Sequence, residues 1–86
     1  MDEKIELEQG KIYYLDYGTN TQIIGRYKEE DACNYIFYDL LHYWNGSETF
    51  RKNTDYCVKS GIENIRRATK PEIHALLRFE IEFDCI

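Results

Sequence analysis

The stretch that decides the fold is NYIFYDLLHYWNG, residues 34 to 46, in which apolar and aromatic side chains fill most positions before an Asn-Gly pair. Alternate residues of a strand share a face. One face of this strand would carry Ile36, Tyr38, Leu40, His42 and Trp44, and the other would carry Tyr35, Phe37, Asp39, Leu41 and Tyr43. Neither face is polar. We therefore expect Ile36, Tyr38 and Leu40 to point into a core, and a helix, a second subunit or a partner to cover the other face.

The Asn45-Gly46 pair predicts a two-residue type I′ hairpin, because both central positions of that turn need positive φ. The segment SETFR would then return antiparallel to LLHYW. Turn residues divide the rest of the sheet region into short segments of β-branched and aromatic residues. These predict strands at residues 11 to 17, 21 to 28, 55 to 59 and 62 to 67, with polar bends at 29 to 31 and 52 to 54. The last strand, IENIRR, has mixed faces, as edge strands do.

A helix is predicted after residue 69. Thr69-Lys70-Pro71-Glu72 has the form of a capping box, with Thr69 as N-cap and Glu72 placed to reach back to it. Apolar residues then follow at helical spacing through about residue 80. The tail from 78 to 85 also alternates as a strand would, so a strand that closes the sheet stays an alternative there.

Five to six short strands and one C-terminal helix predict an α+β, mainly β fold, a small antiparallel barrel of the SH3-like or Sm-like type. The 86 residues are enough for one domain. Within it we expect an acidic N-terminal arm at 1 to 10, the antiparallel sheet at 11 to 67 and the helix at 70 to 82.

The order YIFYDLLHYWNG, YCVK, SGIENIRRAT and then a capped helix resembles short accessory proteins of bacteriophages and other mobile elements. The resemblance spans roughly residues 10 to 80, and its motif is structural: Gly61 for a turn, Ile62 and Ile65 for the core, and Thr69 for the cap. It implies the small barrel fold and a phage origin, which is compatible with an anti-defence protein of the anti-CRISPR kind. It carries over no catalytic residue.

Several functional classes are disfavoured by the sequence. The acidic N-terminus differs from a signal peptide, and no apolar run approaches the roughly 20 residues of a membrane span. We therefore expect a cytoplasmic protein of the host cell, with no membrane association and with its three widely spaced cysteines reduced. His42 and His74 lack metal-ligand spacing, and no phosphate loop or nucleophile motif is present. We predict no enzyme activity, no cofactor and no metal. Asp39 is expected to be a buried acid with a raised pKa or a hydrogen-bond partner of a tyrosine.

The charge distribution leaves two binding functions open. The net charge is −5, but residues 51 to 70 hold six basic side chains against Asp55 and Glu63, for a local charge of +4 that leaves −9 elsewhere. The first hypothesis is an inhibitor that contacts a host defence protein through an acidic, tyrosine-rich surface. The second is a module that sequesters a nucleotide messenger or short RNA by aromatic stacking and basic side chains. A homodimer through an unpaired edge is also open. The candidate binding residues are Tyr43, Trp44, Arg51, Lys52, Arg66, Arg67, Glu29, Glu30 and Asp31.

Overall fold

The computed structural model describes residues 6 to 84 and is mainly β, with five antiparallel strands in one open sheet and a C-terminal helix. The strand order is β4-β3-β2-β1-β5, so β4 and β5 form the two edges. The elements are β1 (Ile12–Asp16), β2 (Thr21–Glu30), β3 (Asn34–Trp44), β4 (Ser47–Val58), β5 (Asn64–Arg67) and α1 (Lys70–Asp84). Within the described range, no helix has the length and apolar character that a membrane crossing requires.

The hairpin predicted from Asn45-Gly46 is confirmed. Trp44 pairs with Ser47, and Asn45 and Gly46 have φ angles of 53° and 88°. Both values lie in the left-handed region that a type I′ turn needs. The edge position predicted for IENIRR is also confirmed, since β5 pairs only with β1 among the described strands.

The two faces of the sheet carry separate apolar clusters. What we call the core face buries Tyr13, Leu15, Ile23, Tyr27, Phe37, Leu40 and Cys57. On the other face, the helix face, Ile24 and Leu41 pack against Leu76 of α1, with Phe50 and Phe79 stacked beside them at a centroid distance of 5.8 Å. The helix therefore covers the second face of β3, one of the three alternatives that the sequence left open.

Simple alternation along β3 is wrong beyond Phe37. The pairing of β3 with both neighbours shifts between Phe37 and Asp39, which makes Tyr38 a bulge residue. Phe37 and Leu40, three positions apart, consequently share the core face. Tyr38, predicted to point inward, is 37% exposed, and Leu41 points to the helix. A bulge breaks the two-residue period, so one extra residue exchanges the faces of everything that follows.

The sheet bends over its own core face. Tyr13, Leu15 and Phe37 are fully buried there, although no described helix lies on that side. The Tyr17 hydroxyl donates to the Val58 carbonyl and so connects the ends of β1 and β4, which β2 and β3 separate in the strand order. Gly25 lies inside this bend, where an added Cβ would come within 2.6 Å of Phe37 Cδ1. The glycine makes room for an aromatic ring.

Two predicted bends are wrong. Residues 47 to 58 form one strand, β4, and the polar segment at 52 to 54 is an irregularity within it, where Thr54 has a φ of 63°. Likewise β2 continues through Glu29 and Glu30, so the turn begins only at Asp31. Polar side chains on an exposed edge or strand end resemble turn residues in composition, and only pairing with β3 distinguishes them.

The helix begins where the capping box predicted it. The Thr69 N–H donates to Glu72 Oε1 at 2.8 Å, and the Ile73 N–H donates to the Thr69 carbonyl at 2.9 Å. The helix continues to Asp84, slightly beyond the predicted end, so residues 78 to 84 do not form a closing strand. Cys85 and the first five residues of the predicted acidic arm lie outside the described residues.

Candidate interaction surface

The four basic residues proposed to form one site lie at opposite edges of the sheet. Arg51 and Lys52 belong to β4, whereas Arg66 and Arg67 belong to β5. Neighbouring positions also face opposite ways: Arg51 pairs with Leu40 of the core face, and Lys52 pairs with Asp39 on the helix face. The structure therefore does not join these side chains into one basic site.

Arg66 of β5 forms an ion pair with the first turn of α1. Its two Nη atoms donate to the two carboxylate oxygens of Glu72 at 2.9 Å, and its guanidinium lies 4.0 Å from the centre of the Tyr14 ring. The paired charges lower the pKa of Glu72 and raise that of Arg66, mainly through their mutual hydrogen bonds. Arg67 pairs with Glu8 at 2.7 Å on the exposed surface, and Arg51 lies 3.6 Å from Asp55. All three arginines have carboxylate partners within the chain.

Tyr43 and Trp44 do not form one stacking site, because adjacent residues of a strand point to opposite faces. Tyr43 is half-buried against the cluster beneath α1, and this burial raises its pKa. Trp44 lies on the other face, pairs with Thr21 and Ser47, and is 57% exposed. Of the two, only Trp44 offers a free aromatic surface.

The predicted acidic group, Glu29, Glu30 and Asp31, lies at the end of β2 that is remote from Trp44. Glu30 is paired with Lys59 at 2.6 Å and accepts a hydrogen bond from the Tyr27 hydroxyl. Asp31 accepts hydrogen bonds from the N–H groups of Cys33 and Asn34, which lower its pKa and hold the turn. Glu29 is exposed and stands in register with Ile36. Glu29 and Asp31 thus present negative charge at this end of the sheet.

A surface that the sequence did not predict lies beside these carboxylates. Ile36 pairs with Tyr56, and Asn34 pairs with Val58, so the side chains at 36, 56 and 58 share the helix face. Tyr56 is 60% exposed, Val58 is 55% exposed, and Tyr38, two residues after Ile36 in β3, is 37% exposed. We call Tyr38, Tyr56 and Val58, grouped around Ile36, the distal patch.

The distal patch is partly ordered by polar neighbours. Gln9 Nε2 donates to the Tyr38 hydroxyl at 2.8 Å, and Lys28 Nζ lies 5.7 Å from the centre of the Tyr38 ring. Tyr38 was expected in the core, but it lies at the bulge and is exposed, and the edge position of β4 exposes Tyr56. The sequence pattern does indicate an uncovered apolar surface, because strands with two apolar faces need more cover than one 15-residue helix provides.

The core face also opens into a cleft of about 320 Å³ between the β1–β2 turn and the second half of β4. Ile23, Leu40 and Cys57 form its floor, His42, Arg51 and Asp55 stand at its rim, and the β4 edge residues Tyr56 and Val58 also border it. Burial raises the pKa of the Cys57 thiol to about 12, so this cysteine stays protonated and is a poor nucleophile.

The described residues contain no group of three histidine, cysteine, aspartate or glutamate side chains able to hold a metal ion. The chain matches no protein-family model, no curated protein and no solved structure. The geometry of its own surface is therefore the basis for assigning a function.

Proposed function

We propose that this protein is a non-catalytic binding protein that inhibits a bacterial defence protein by direct contact, with the distal patch as the contact surface. One observation carries the proposal: Tyr56 and Val58 are 60% and 55% exposed on regularly paired strands. Exposed apolar side chains that adjoin one another mark interaction sites on small proteins. Tyrosine suits such a site, because its rigid ring gives a large contact area at low entropic cost.

The rim of the patch supports a partner with a basic surface. Glu29 stands in the same row as Ile36 and Tyr56, and the ionised Asp31 lies in the adjoining turn. Carboxylates around an apolar centre complement an apolar pocket with a basic rim, and they accelerate the encounter with a basic partner. A protein site that binds nucleic acid has such a rim. We therefore propose a basic, nucleic-acid-binding defence protein as the target.

The phage origin is part of the same proposal. The resemblance of residues 10 to 80 to phage accessory proteins supports it, and so does the small acidic chain with a net charge of −5. Contact through a preformed sheet surface would require little ordering on binding. The inhibitor would act by occupying the partner's basic site, without chemistry of its own.

The experiment compares capture by the wild-type chain with capture by a Tyr56→Ser, Val58→Thr double variant. Each tagged protein is incubated with host lysate, and proteins recovered by the wild type are then purified and titrated against both chains. We expect the affinity of the purified partner to fall by roughly tenfold or more in the double variant, because clustered aromatic anchors dominate binding energy.

Trp44→Ser provides the matched control, since Trp44 is as exposed as Tyr56 and Val58 but points to the other face. Binding that survives Trp44→Ser and fails in the double variant supports the proposal. Equal binding by all three chains contradicts it. Light scattering measures the molar mass of the isolated chains. A dimer in the wild type and a monomer in the double variant would mean that a second copy covers the patch.

The cleft on the core face favours a second candidate function, sequestration of a small nucleotide. The cleft has about 320 Å³ of space and one basic side chain at its rim, Arg51. The carboxylate of Asp55, 3.6 Å away, competes for that charge, so this function ranks second. A thermal-shift screen with cyclic nucleotides tests it: stabilisation that Arg51→Gln abolishes would support sequestration, and the absence of any shift would exclude it.

We also propose that the bent sheet belongs to the SH3-like or Sm-like class of small barrels. The meander order, the bulges in β2 and β3, and the hydrogen bond from Tyr17 to Val58 support this assignment. Nuclear Overhauser contacts measured in solution test it. Continuous contact between the ends of β1 and β4 is expected, whereas a sheet open to solvent on its core face would contradict the assignment.

A further inference from the structure

Asp39 is a buried acid in an apolar strand. It is 8% exposed, and it is the one buried residue with a polar or charged side chain among those whose burial the structure describes. Its Oδ1 has no hydrogen-bond partner within the described atoms. A buried carboxylate oxygen without a donor is costly, and the cost is reduced when the carboxyl carries a proton.

Charged groups face Asp39 from each element packed against it. Arg26 of β2 and Lys52 of β4 are its cross-strand partners, and Glu80 approaches from α1. Arg26 donates from Nε and Nη2 to the two Glu80 oxygens at 3.1 and 2.9 Å, and from Nη1 to the Gly10 carbonyl at 3.0 Å. The Glu80 side chain is 14% exposed. The attachment of the second half of α1 thus includes two carboxyls in a largely dry contact.

The proton of Asp39 determines whether these carboxyls attract or repel. Burial, followed by the hydrogen bond and the charge of Glu80, raises the pKa of Asp39 to about 7, although Arg26 and Lys52 act to lower it. When Asp39 is protonated, its O–H can donate to Glu80. When it is ionised, two negative groups face each other where water screens them poorly.

We propose that Asp39 and Glu80 form a proton-dependent latch that holds the second half of α1 against the sheet. Protonation of Asp39 strengthens the attachment of the helix to the sheet, and ionisation of Asp39 weakens it. The latch lies next to Tyr38 in the chain, so its opening would enlarge the apolar surface at the distal patch.

The direction of the pH dependence follows from proton linkage. Asp39 has a higher pKa in the docked state than its ordinary value of 3.8, so the docked state binds more protons between about pH 4 and pH 7. The free energy that holds the helix therefore falls as pH rises through this interval. Above about pH 7 both states are ionised, and the dependence ends.

The start of α1 does not share this behaviour. Glu72, bonded to Arg66 and to the Thr69 N–H, has a pKa below its ordinary value, so its contribution to the helix does not fall as pH rises. Leu76 is fully buried between the two attachments. We therefore expect the helix to loosen from its C-terminal half, with the capped first turns still in place.

Hydrogen exchange of the full chain tests the latch. Amide protection is measured at about pH 5 and about pH 8 and corrected for the intrinsic exchange rate. In the wild type we expect protection of residues 78 to 82 to fall roughly tenfold or more, with a smaller change at 72 to 76. Asp39→Asn, whose amide can donate to Glu80 at any pH, should keep high protection at both values.

Glu82→Gln is the matched control, because Glu82 lies on the same helix but is exposed and paired with Arg78. It should behave as the wild type does. An unchanged wild-type protection, or a fall that persists in Asp39→Asn, would overturn the latch. Should Asp39→Asn fail to fold, carboxyl NMR of the wild type decides: a midpoint well above 4 that matches the helix amide shifts supports the proposal, and a midpoint near 4 refutes it.

Discussion

The two ends of the helix face differ in what covers them. At one end Ile24 and Leu41 are buried beneath Leu76 and Phe79 of α1. At the other end, on β4, Tyr56 and Val58 are exposed. The strands are longer than their cover: the 12 residues of β4 span about 40 Å, and the 15 residues of α1 span about 22 Å. The uncovered remainder is the surface that we propose for a partner.

The largest effect on the free energy of unfolding is expected where the helix packs on the sheet. Leu76→Ala removes a fully buried side chain and leaves a cavity against Ile24 and Leu41. We expect a loss of about 2 to 5 kcal/mol in the free energy of unfolding, measured by urea denaturation. Ile81→Ala, at a position 63% exposed on the same helix, should change it by less than about 0.5 kcal/mol. Similar losses in both variants would mean that α1 packs on the sheet through a different face.

A smaller loss is expected from Gly25→Ala on the core face. The new methyl would lie 2.6 Å from Phe37 Cδ1, so the ring must move within a filled core. We predict a loss of about 1 to 3 kcal/mol in thermal or urea unfolding. Phe37→Leu removes the ring that the new methyl would meet. The double variant should therefore lose less stability than the sum of the losses in the two single variants. Strictly additive losses would contradict the predicted clash.

Glu72→Gln should weaken the start of the helix by about 1 kcal/mol at neutral pH, because it removes the charge that Arg66 and the Thr69 N–H share. The pKa of Glu72 is lowered in the folded state, so its contribution is present above about pH 4.5 and lost as pH falls through the folded value. Melting temperatures of both chains measured down to about pH 3 should therefore converge. A constant difference across this range would show that the charge is not responsible.

The smallest effect on stability is expected at the uncovered end. Tyr56→Ser with Val58→Thr alters side chains that already contact solvent, so we predict a change of less than about 1 kcal/mol in the free energy of unfolding. The same variant should show the largest loss of partner binding. A large loss of stability would mean that the distal patch is part of the core, and the contrast between the two ends would disappear.

Local chemistry made part of this structure predictable. The Asn45-Gly46 turn, the strand that begins at Thr21 and the cap at Thr69 depend on neighbours in the chain, and all three are confirmed. The faces of β3 were not predictable in the same way, because a bulge depends on how the partner strands pair. The single bulge at Tyr38 reversed the predicted positions of Leu40 and Leu41 relative to Phe37.

The candidate binding residues were less predictable than the fold. The sequence placed Arg51, Lys52, Arg66 and Arg67 in one basic segment, and the strand order separated them to opposite edges. Proximity in sequence says little about proximity across a sheet. Arg51, Arg66 and Arg67 instead pair with carboxylates, and the partner of Arg67, Glu8, is 59 residues away in the chain, which the sequence could not show.

What the sequence by itself determined is therefore local: where strands turn, where the helix starts, and that β3 needs cover on both faces. Turn residues and caps act over a few positions, so their physics is contained in the sequence. Only the tertiary structure decided what supplies that cover, that Asp39 meets Glu80, and that Tyr56 and Val58 remain exposed. These depend on strand register and on the length of α1 relative to the strands, which are fixed only when distant segments pack together.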